Sequence, residues 1–153
     1  KNGDLAKNGK VHHHALKKML SHPFFKKRHP KSTGKEVFNI KFIPKELLKK
    51  SPNDILATLT ELTAISIANS LHAQNKLPEQ AIICGGGIKN RFLINSIKKL
   101  TKIGLVSSSE FGLDPQAIEA MAFGWMASQR FYKNQLYVKE KKGLLGKITR
   151  SIQ

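Results

Sequence analysis

The chain has 153 residues, of which 40% are hydrophobic and 24% charged, a composition typical of a folded globular protein and too apolar for disorder. No apolar run approaches the roughly 20 residues of a membrane span, and no signal peptide is visible, although the chain begins without methionine. Cys84 is the single cysteine, so no intrachain disulfide can form, and a reducing cytoplasm is the expected compartment.

The net charge is +17, from 27 Lys and Arg against 10 Asp and Glu. The excess lies mostly in the first 50 residues, which hold 14 basic and three acidic residues. These cations form dispersed Lys-Lys pairs at 17–18, 26–27 and 49–50, with few aromatic residues placed to stack on bases. The pattern favours a solvated surface. A basic nucleic-acid-binding module is kept as an alternative that the spacing disfavours.

The first elements are short. Residues 1–10 are polar and interrupted by glycine, which predicts a loop, and the apolar spacing of Val11 to Ser21 predicts an amphipathic helix. His12, His13 and His14 are consecutive, so on a helix they point about 100° apart and cannot share one metal ion. The histidines therefore predict no metal site.

Residues 31–35 read Lys-Ser-Thr-Gly-Lys. The two ammonium groups and two hydroxyls suit an anion, but the order of residues is not that of a phosphate-binding P-loop, and a surface turn fits equally well. Apolar and polar residues alternate loosely over residues 37–43, which predicts a short strand or extended segment. Residues 44–50 predict one or two helical turns.

Ser51, Pro52 and Asp54 form a strong helix start, with a hydroxyl N-cap, proline at the first helical position and an acid in the first turn. We expect this helix to run to about Ala73. Its apolar stripe consists of Ile55, Leu59, Leu62, Ile65 and Ala68. Four hydroxyl residues also lie on it, and they either line a cleft or bond back to the helix backbone: Thr58, Thr60, Thr63 and Ser66.

The stretch around which the chain is organised runs from Ala81 to Leu93. Ala81 to Cys84 predicts a short buried strand in which Cys84 packs inside. Gly85, Gly86 and Gly87 follow, and Asn90 stands where an N-cap would begin the next helix. Free amides at such a helix start attract anions, including a nucleotide phosphate. A tight turn that binds nothing is the alternative reading.

A second apolar run, Ile103 to Val106, predicts another buried strand and so completes a β-α-β unit. After a loop, Asp114 begins a long helix whose apolar face holds Ile118, Met121, Ala122, Trp125 and Met126. Glu119 lies one turn into this helix, where its carboxylate either faces a ligand or stabilises the helix N-terminus electrostatically. Residues 143–148 predict an apolar edge strand.

Five segments together resemble the C-terminal part of the anhydro-N-acetylmuramic acid kinase family. They are Pro30-Lys-Ser-Thr-Gly34, Thr58-Leu-Thr-Glu-Leu-Thr-Ala64, Cys84-Gly-Gly-Gly-Ile-Lys-Asn90, Glu119-Ala-Met-Ala-Phe-Gly-Trp125 and Leu145-Gly-Lys-Ile148. The resemblance covers almost the whole chain. It implies the C-terminal half of the sugar kinase, actin and heat-shock ATPase fold, an α/β fold with a β-α-β core and helices packed on the sheet.

The resemblance implies a reaction in which ATP, with Mg²⁺, and water open the anhydro ring of 1,6-anhydro-N-acetylmuramic acid and phosphorylate its 6-oxygen, giving N-acetylmuramic acid 6-phosphate in peptidoglycan recycling. By this resemblance, Gly85, Gly86, Gly87 and Asn90 are expected at the nucleotide, and Glu119 on the side of the sugar substrate. No role follows for Lys31, Ser32 and Thr33, which match a family motif without an assigned contact.

The sequence lacks the family's N-terminal domain, including the Asp-Thr-Gly-Pro-Gly-Asn segment that carries the expected general base. We therefore expect no catalytic residue in this chain, and no turnover by it alone. Residues 1–50 are expected to form a basic lead-in to an α/β core at 51–153, all in one domain. A separate N-terminal piece or a second copy is the expected protein partner, and a non-catalytic remnant or interaction subunit is the alternative function.

Overall fold

The structure, a computed structural model, describes residues 2–28, 31–133, 136–138 and 141–143. The helices within these ranges are α1 Asp4–Lys7, α2 His13–Leu20, α3 Pro23–Lys26, α4 Lys45–Leu48, α5 Pro52–His72, α6 Arg91–Thr101 and α7 Ile118–Phe131. The strands are β1 Gln80–Ile83, β2 Gly104–Ser107, β3 Leu136–Val138 and β4 Lys141–Gly143. Short 3-10 turns cover Ile40–Phe42, Gly86–Lys89 and Ser108–Phe111. No helix in this part of the chain is both long and apolar enough to cross a membrane.

The central unit is a β-α-β crossover, as predicted. β1 and β2 pair in parallel, with Gln80 opposite Gly104 and Ile83 opposite Ser107, and α6 connects them. β3 and β4 form a separate antiparallel pair, with Leu136 opposite Gly143. The protein is therefore α/β, with helices packed on a small parallel sheet. Of the edge strand predicted at 143–148, only Gly143 lies within the described residues.

The long helix α5 is the element on which the others assemble. It begins as predicted, because Ser51 Oγ accepts a hydrogen bond from the Asp54 amide over 3.2 Å and Pro52 is the first helical residue. α1, α2 and α6 all contact it. A core cluster forms where α2 and α4 meet α5, and it consists of Ala15, Leu16, Met19, Leu47 and Leu62.

Two of the four predicted helical hydroxyls bond back to the helix backbone. Thr58 Oγ1 donates to the Asp54 carbonyl over 2.8 Å, and Thr63 Oγ1 donates to the Leu59 carbonyl over 3.0 Å. Thr58 is fully buried, and its Oγ1 also accepts from the His12 amide over 3.0 Å. For these two threonines, back-bonding is thus the correct alternative, and Thr58 in addition anchors the segment before α2.

The strand predicted at 37–43 is wrong. The amides of Val37 and Phe38 both donate to the Gly34 carbonyl, and Asn39 Oδ1 accepts from the Lys41 amide over 2.9 Å. These local bonds form turns in place of a ladder. Phe38 and Phe42 pack edge to face with ring centroids 4.8 Å apart, so both rings are drawn into one aromatic cluster with α3 and do not alternate across a sheet.

Other predictions need correction. The last helix begins at Ile118 and not at the predicted Asp114. Residues 1–10 contain the one-turn helix α1, because Ala6 is buried at 3% exposure against the helices. β1 is not a fully buried strand, since Ile82 is 60% exposed, and Cys84 is exposed and not packed inside. The cause is the size of the sheet: a parallel strand is buried on both faces only when layers cover both sides, and within the described residues β1 pairs with β2 alone.

Candidate functional site

The glycine loop, residues 84–90, carries the chain from β1 into α6. Gly85 adopts φ 79° and ψ 178°, a region that glycine alone occupies readily. The carbonyls of Gly85 and Gly87 then accept from the amides of Ile88 and Asn90 over 3.3 and 3.0 Å. These two bonds give the loop a compact 3-10 geometry immediately before the first turn of α6.

The face of the glycine loop is open. Among the described residues, a Cβ added to Gly85 or Gly86 would meet no atom within 4 Å, and one on Gly87 would meet only Leu93, at 3.9 Å. Packing within the described residues therefore does not explain the absence of side chains at Gly85 and Gly86. The bare backbone instead leaves room for a ligand to approach closely.

Asn90 is the N-cap of α6, as predicted. Its Oδ1 accepts from the Leu93 amide over 3.0 Å, which satisfies one of the free donors at the helix start. The Arg91 amide is also satisfied, because it donates to the Asn2 carbonyl over 3.1 Å. Asn90 thus shapes the loop as a cap, and its predicted contact with a nucleotide stays a prediction.

The structure brings the segment that leads into α7 beside the glycine loop. The Gly85 amide donates to the Pro115 carbonyl over 2.7 Å, and α7 begins three residues later at Ile118. Glu119 is exposed in the first turn of this helix. The predicted glycine and glutamate residues therefore lie on connected segments.

A pair of serines at the end of β2 was not predicted as part of this site. Ser107 lies opposite Ile83 in the parallel register, so the loops after β1 and β2 leave the sheet at the same edge. Ser107 Oγ is 2.7 Å from Ser109 Oγ and accepts from the Ser109 amide over 3.2 Å. The signal in the sequence was the β-α-β pattern, because ligands of open α/β sheets bind at the carboxyl ends of parallel strands.

Lys31 lies against α3. Its Nζ donates to the carbonyls of Phe24 and Phe25 over 3.2 and 3.3 Å and stands 4.8 Å from the centroid of the Phe24 ring. Ser32 and Thr33 are exposed. Lys31 also lines a cavity of about 500 Å³ with Lys26, Lys27, Arg28 and the C-terminal residues of α5. Cations there complement the partial negative charge of the helix C-terminus, and an anion role for the motif stays a prediction.

Among residues 2–28 and 31–133, the acidic, histidine and cysteine side chains do not form a group of three suited to hold a metal ion. The consecutive histidines illustrate why: His12 Nε2 is 3.3 Å from Asp54 Oδ2, while His13 and His14 are exposed on α2. This part of the chain thus offers backbone amides and hydroxyls to a ligand, and no assembled cation site.

A glycine loop between a parallel strand and a helix, open at the carboxyl edge of the sheet, is typical of nucleotide-binding α/β proteins. The family model described as anhydro-N-acetylmuramic acid kinase matches residues 1–139. The chain therefore belongs to the anhydro-N-acetylmuramic acid kinase family.

Relatives from several bacteria agree with this assignment. The chain is 47% identical over 155 residues to the anhydro-N-acetylmuramic acid kinase of Gamma-proteobacterium EBAC31A08, covering 99% of this chain and 43% of the relative. It is 44% identical over 131 residues to that of Pseudomonas syringae pv. tomato, covering 83% and 36%, and 38% identical over 156 residues to that of Sulfurimonas denitrificans, covering 95% and 42%. The chain thus spans less than half the length of these relatives.

Proposed function

We propose that this chain is the C-terminal part of an ATP-dependent kinase that converts 1,6-anhydro-N-acetylmuramic acid to N-acetylmuramic acid 6-phosphate in the cytoplasm. Its fold would be the C-terminal half of the sugar kinase, actin and heat-shock ATPase fold. The observation that carries the proposal is the open glycine loop at the carboxyl edge of a parallel sheet, in a member of a kinase family.

In this proposal the nucleotide lies across Gly85 and Gly86. The loop amides and the positive end of the α6 dipole attract its phosphates, and Asn90 maintains the first turn of α6 as its cap. Glu119, on the segment joined to Gly85 through Pro115, faces the sugar side. ATP supplies the phosphoryl group and Mg²⁺ offsets its charge when they are bound; no described residue is assigned to the metal.

The chain alone is not expected to turn over substrate. Phosphoryl transfer requires an oriented nucleophile together with phosphate and metal positioning, and the described residues supply one wall of such a site. Formation of the phosphorylated sugar by the purified chain, in a preparation shown to be free of contaminating kinase, would contradict this expectation.

The test of the nucleotide site is a calorimetric titration with ATP and Mg²⁺. Gly86→Val places a branched side chain in the open space at the loop, so we expect affinity to fall by about tenfold or more. Gly104→Val is the matched control at the opposite end of the same sheet, where a Cβ would meet the flexible Gln80 side chain at 3.4 Å. It should leave affinity unchanged. Absence of saturable binding by the unmodified chain at millimolar ATP would contradict the proposal.

The apolar surface around α7 supports a protein partner for this chain. Met121 is 49% exposed, Phe123 62% and Trp125 55%, and Ile82 of β1 is also exposed. Large apolar surfaces of this kind mark interfaces, and parallel sheets are normally covered on both faces. Because the relatives are more than twice as long as the matched region, we propose that the remaining part of the kinase polypeptide covers this surface.

Trp125 offers a direct test, since it is the only tryptophan. Adding the N-terminal part of the Gamma-proteobacterium EBAC31A08 kinase, with its own tryptophans replaced, should shift Trp125 emission to shorter wavelength and form a one-to-one complex. Trp125 emission that is unaffected by this piece would contradict the proposal. A shift that depends on the concentration of the chain alone would instead identify a second copy as the partner.

A further inference from the structure

We infer that Gly3 is a positioning residue for the glycine loop, an inference that rests on the proposed nucleotide site. Gly3 lies against the side chain of Asn90. A Cβ added to Gly3 would overlap with Asn90 Oδ1 and lie 2.8 Å from its Cγ. Gly3 also adopts φ 85°, a conformation that side chains other than glycine disfavour. Glycine is therefore needed at position 3 for two separate reasons: its backbone conformation and the lack of space beside the Asn90 side chain.

Asn90 connects Gly3 to the glycine loop that precedes it and to the helix α6 that follows it. Its amide donates to the Gly87 carbonyl over 3.0 Å, and its Oδ1 accepts from the Leu93 amide over 3.0 Å. Displacement of the Asn90 side chain would therefore disturb the end of the glycine loop and the first turn of α6 together. The neighbouring bond from the Arg91 amide to the Asn2 carbonyl ties the same two segments through the backbone.

The Gly3 side of the contact is itself held in place. The Lys7 amide donates to the Gly3 carbonyl over 2.8 Å, and Ala6 is buried at 3% exposure where α1 contacts α5 and α6. Further along, the Lys10 amide donates to Asp54 Oδ1 over 2.7 Å. Because α1 is anchored in this way, a side chain at position 3 would be accommodated mainly by movement of Asn90.

The decisive experiment is a double-mutant cycle between Gly3→Ala and Asn90→Ser. Serine is a good N-cap and lacks the Oδ1 atom with which the added Cβ would overlap, although its Oγ takes the place of the Asn90 Cγ. We expect Gly3→Ala to speed amide hydrogen exchange at residues 85–93 by about tenfold and to weaken ATP binding by a similar factor. In the Asn90→Ser background, the same substitution should have a clearly smaller effect on both quantities, because only the strain from the φ of 85° and the weaker Oγ contact remain.

Gly9→Ala is the matched control for loss of stability. A Cβ there would overlap with the Asn53 carbonyl, at the start of α5 and outside the glycine loop, so it should lower the melting temperature without a specific change at residues 85–93. The inference would be overturned if Gly3→Ala changed amide exchange at residues 85–93 only as much as its melting temperature predicts, as expected for Gly9→Ala. If the unmodified chain binds no ATP, the proposed function fails, whereas the exchange cycle still decides the role of Gly3.

Discussion

Ser96 Oγ donates a 2.9 Å hydrogen bond to Glu61 Oε2 and so joins α6 to α5. Ser96 is only 8% exposed, and Glu61 belongs to the Thr-Leu-Thr-Glu-Leu-Thr-Ala segment that resembles the family. This bond holds the helix that follows the glycine loop against the longest helix of the molecule.

Removing that hydroxyl with Ser96→Ala should lower the free energy of unfolding by about 1–3 kcal/mol, because a half-buried carboxylate loses its donor. Equilibrium unfolding in urea measures the change. Glu61→Ala in the Ser96→Ala background should cost less than Glu61→Ala alone, since the two residues share one interaction. Additive losses would show that the bond does not contribute.

Thr58→Val should also destabilise the protein. The substitution keeps the shape of the side chain but leaves the His12 amide without its acceptor, at a position with 0% exposure. We expect a loss of about 1–3 kcal/mol. Thr63→Val is the control, because Thr63 is exposed and its hydroxyl donates back to the Leu59 carbonyl of the same helix. Its effect should stay within about 0.5 kcal/mol. Equal losses in the two variants would contradict this account.

Asp54 makes stability depend on pH. The Lys10 amide, and next the His12 side chain, lower the pKa of the Asp54 carboxyl below its usual range. Because the folded pKa is lower than the unfolded one, the stabilisation is present at neutral pH and is lost as pH falls below about 4. Asp54→Asn should therefore lower the melting temperature at pH 7, and the difference from the unmodified protein should shrink in acid. A difference that is constant from pH 7 to pH 3 would contradict the assignment.

Gly85→Ala should strain the backbone of the glycine loop. With φ 79° and ψ 178°, alanine at this position is expected to cost about 1–3 kcal/mol, although no atom lies within 4 Å of the added methyl group. Gly86→Ala is the matched control, since the space there is equally open and its φ is not in the left-handed region. Thermal unfolding should separate the two variants, and equal stability would show that the loop relaxes without strain.

Local signals in the sequence predicted much of the fold. Ser51 and Pro52 fixed the start of α5 because capping depends on residues within one turn, and Asn90 was identified as a cap for the same reason. The alternation of apolar runs with a helix predicted the parallel pairing of β1 and β2. The open backbone at Gly85 and Gly86 agrees with the predicted ligand loop, although a bound nucleotide stays a prediction.

Features that depend on distant partners were missed. The sequence predicted a strand that included Phe38 and Phe42, but these two rings form an aromatic cluster with α3. Cys84 was predicted to be buried because the apolar run from Ala81 to Cys84 cannot show how many strands and helices surround β1. Ser107 had no signal of its own in the sequence, since its place beside Ile83 follows from the strand register. The contact of Gly3 with Asn90 has no local signal at all.

The anchoring of residues 2–12 has a consequence for how the protein is made. These residues bond to Asp54, Thr58 and Arg91, so residues 2–12 are synthesised well before the residues that they contact. Closing such long loops costs conformational entropy that only the finished contacts repay. During translation, α1 can dock on α5 first, whereas the contacts of Asn2 with Arg91 and of Gly3 with Asn90 form only after the start of α6 has left the ribosome. Chaperones or proteases that act on nascent chains would meet residues 2 and 3 before those contacts exist.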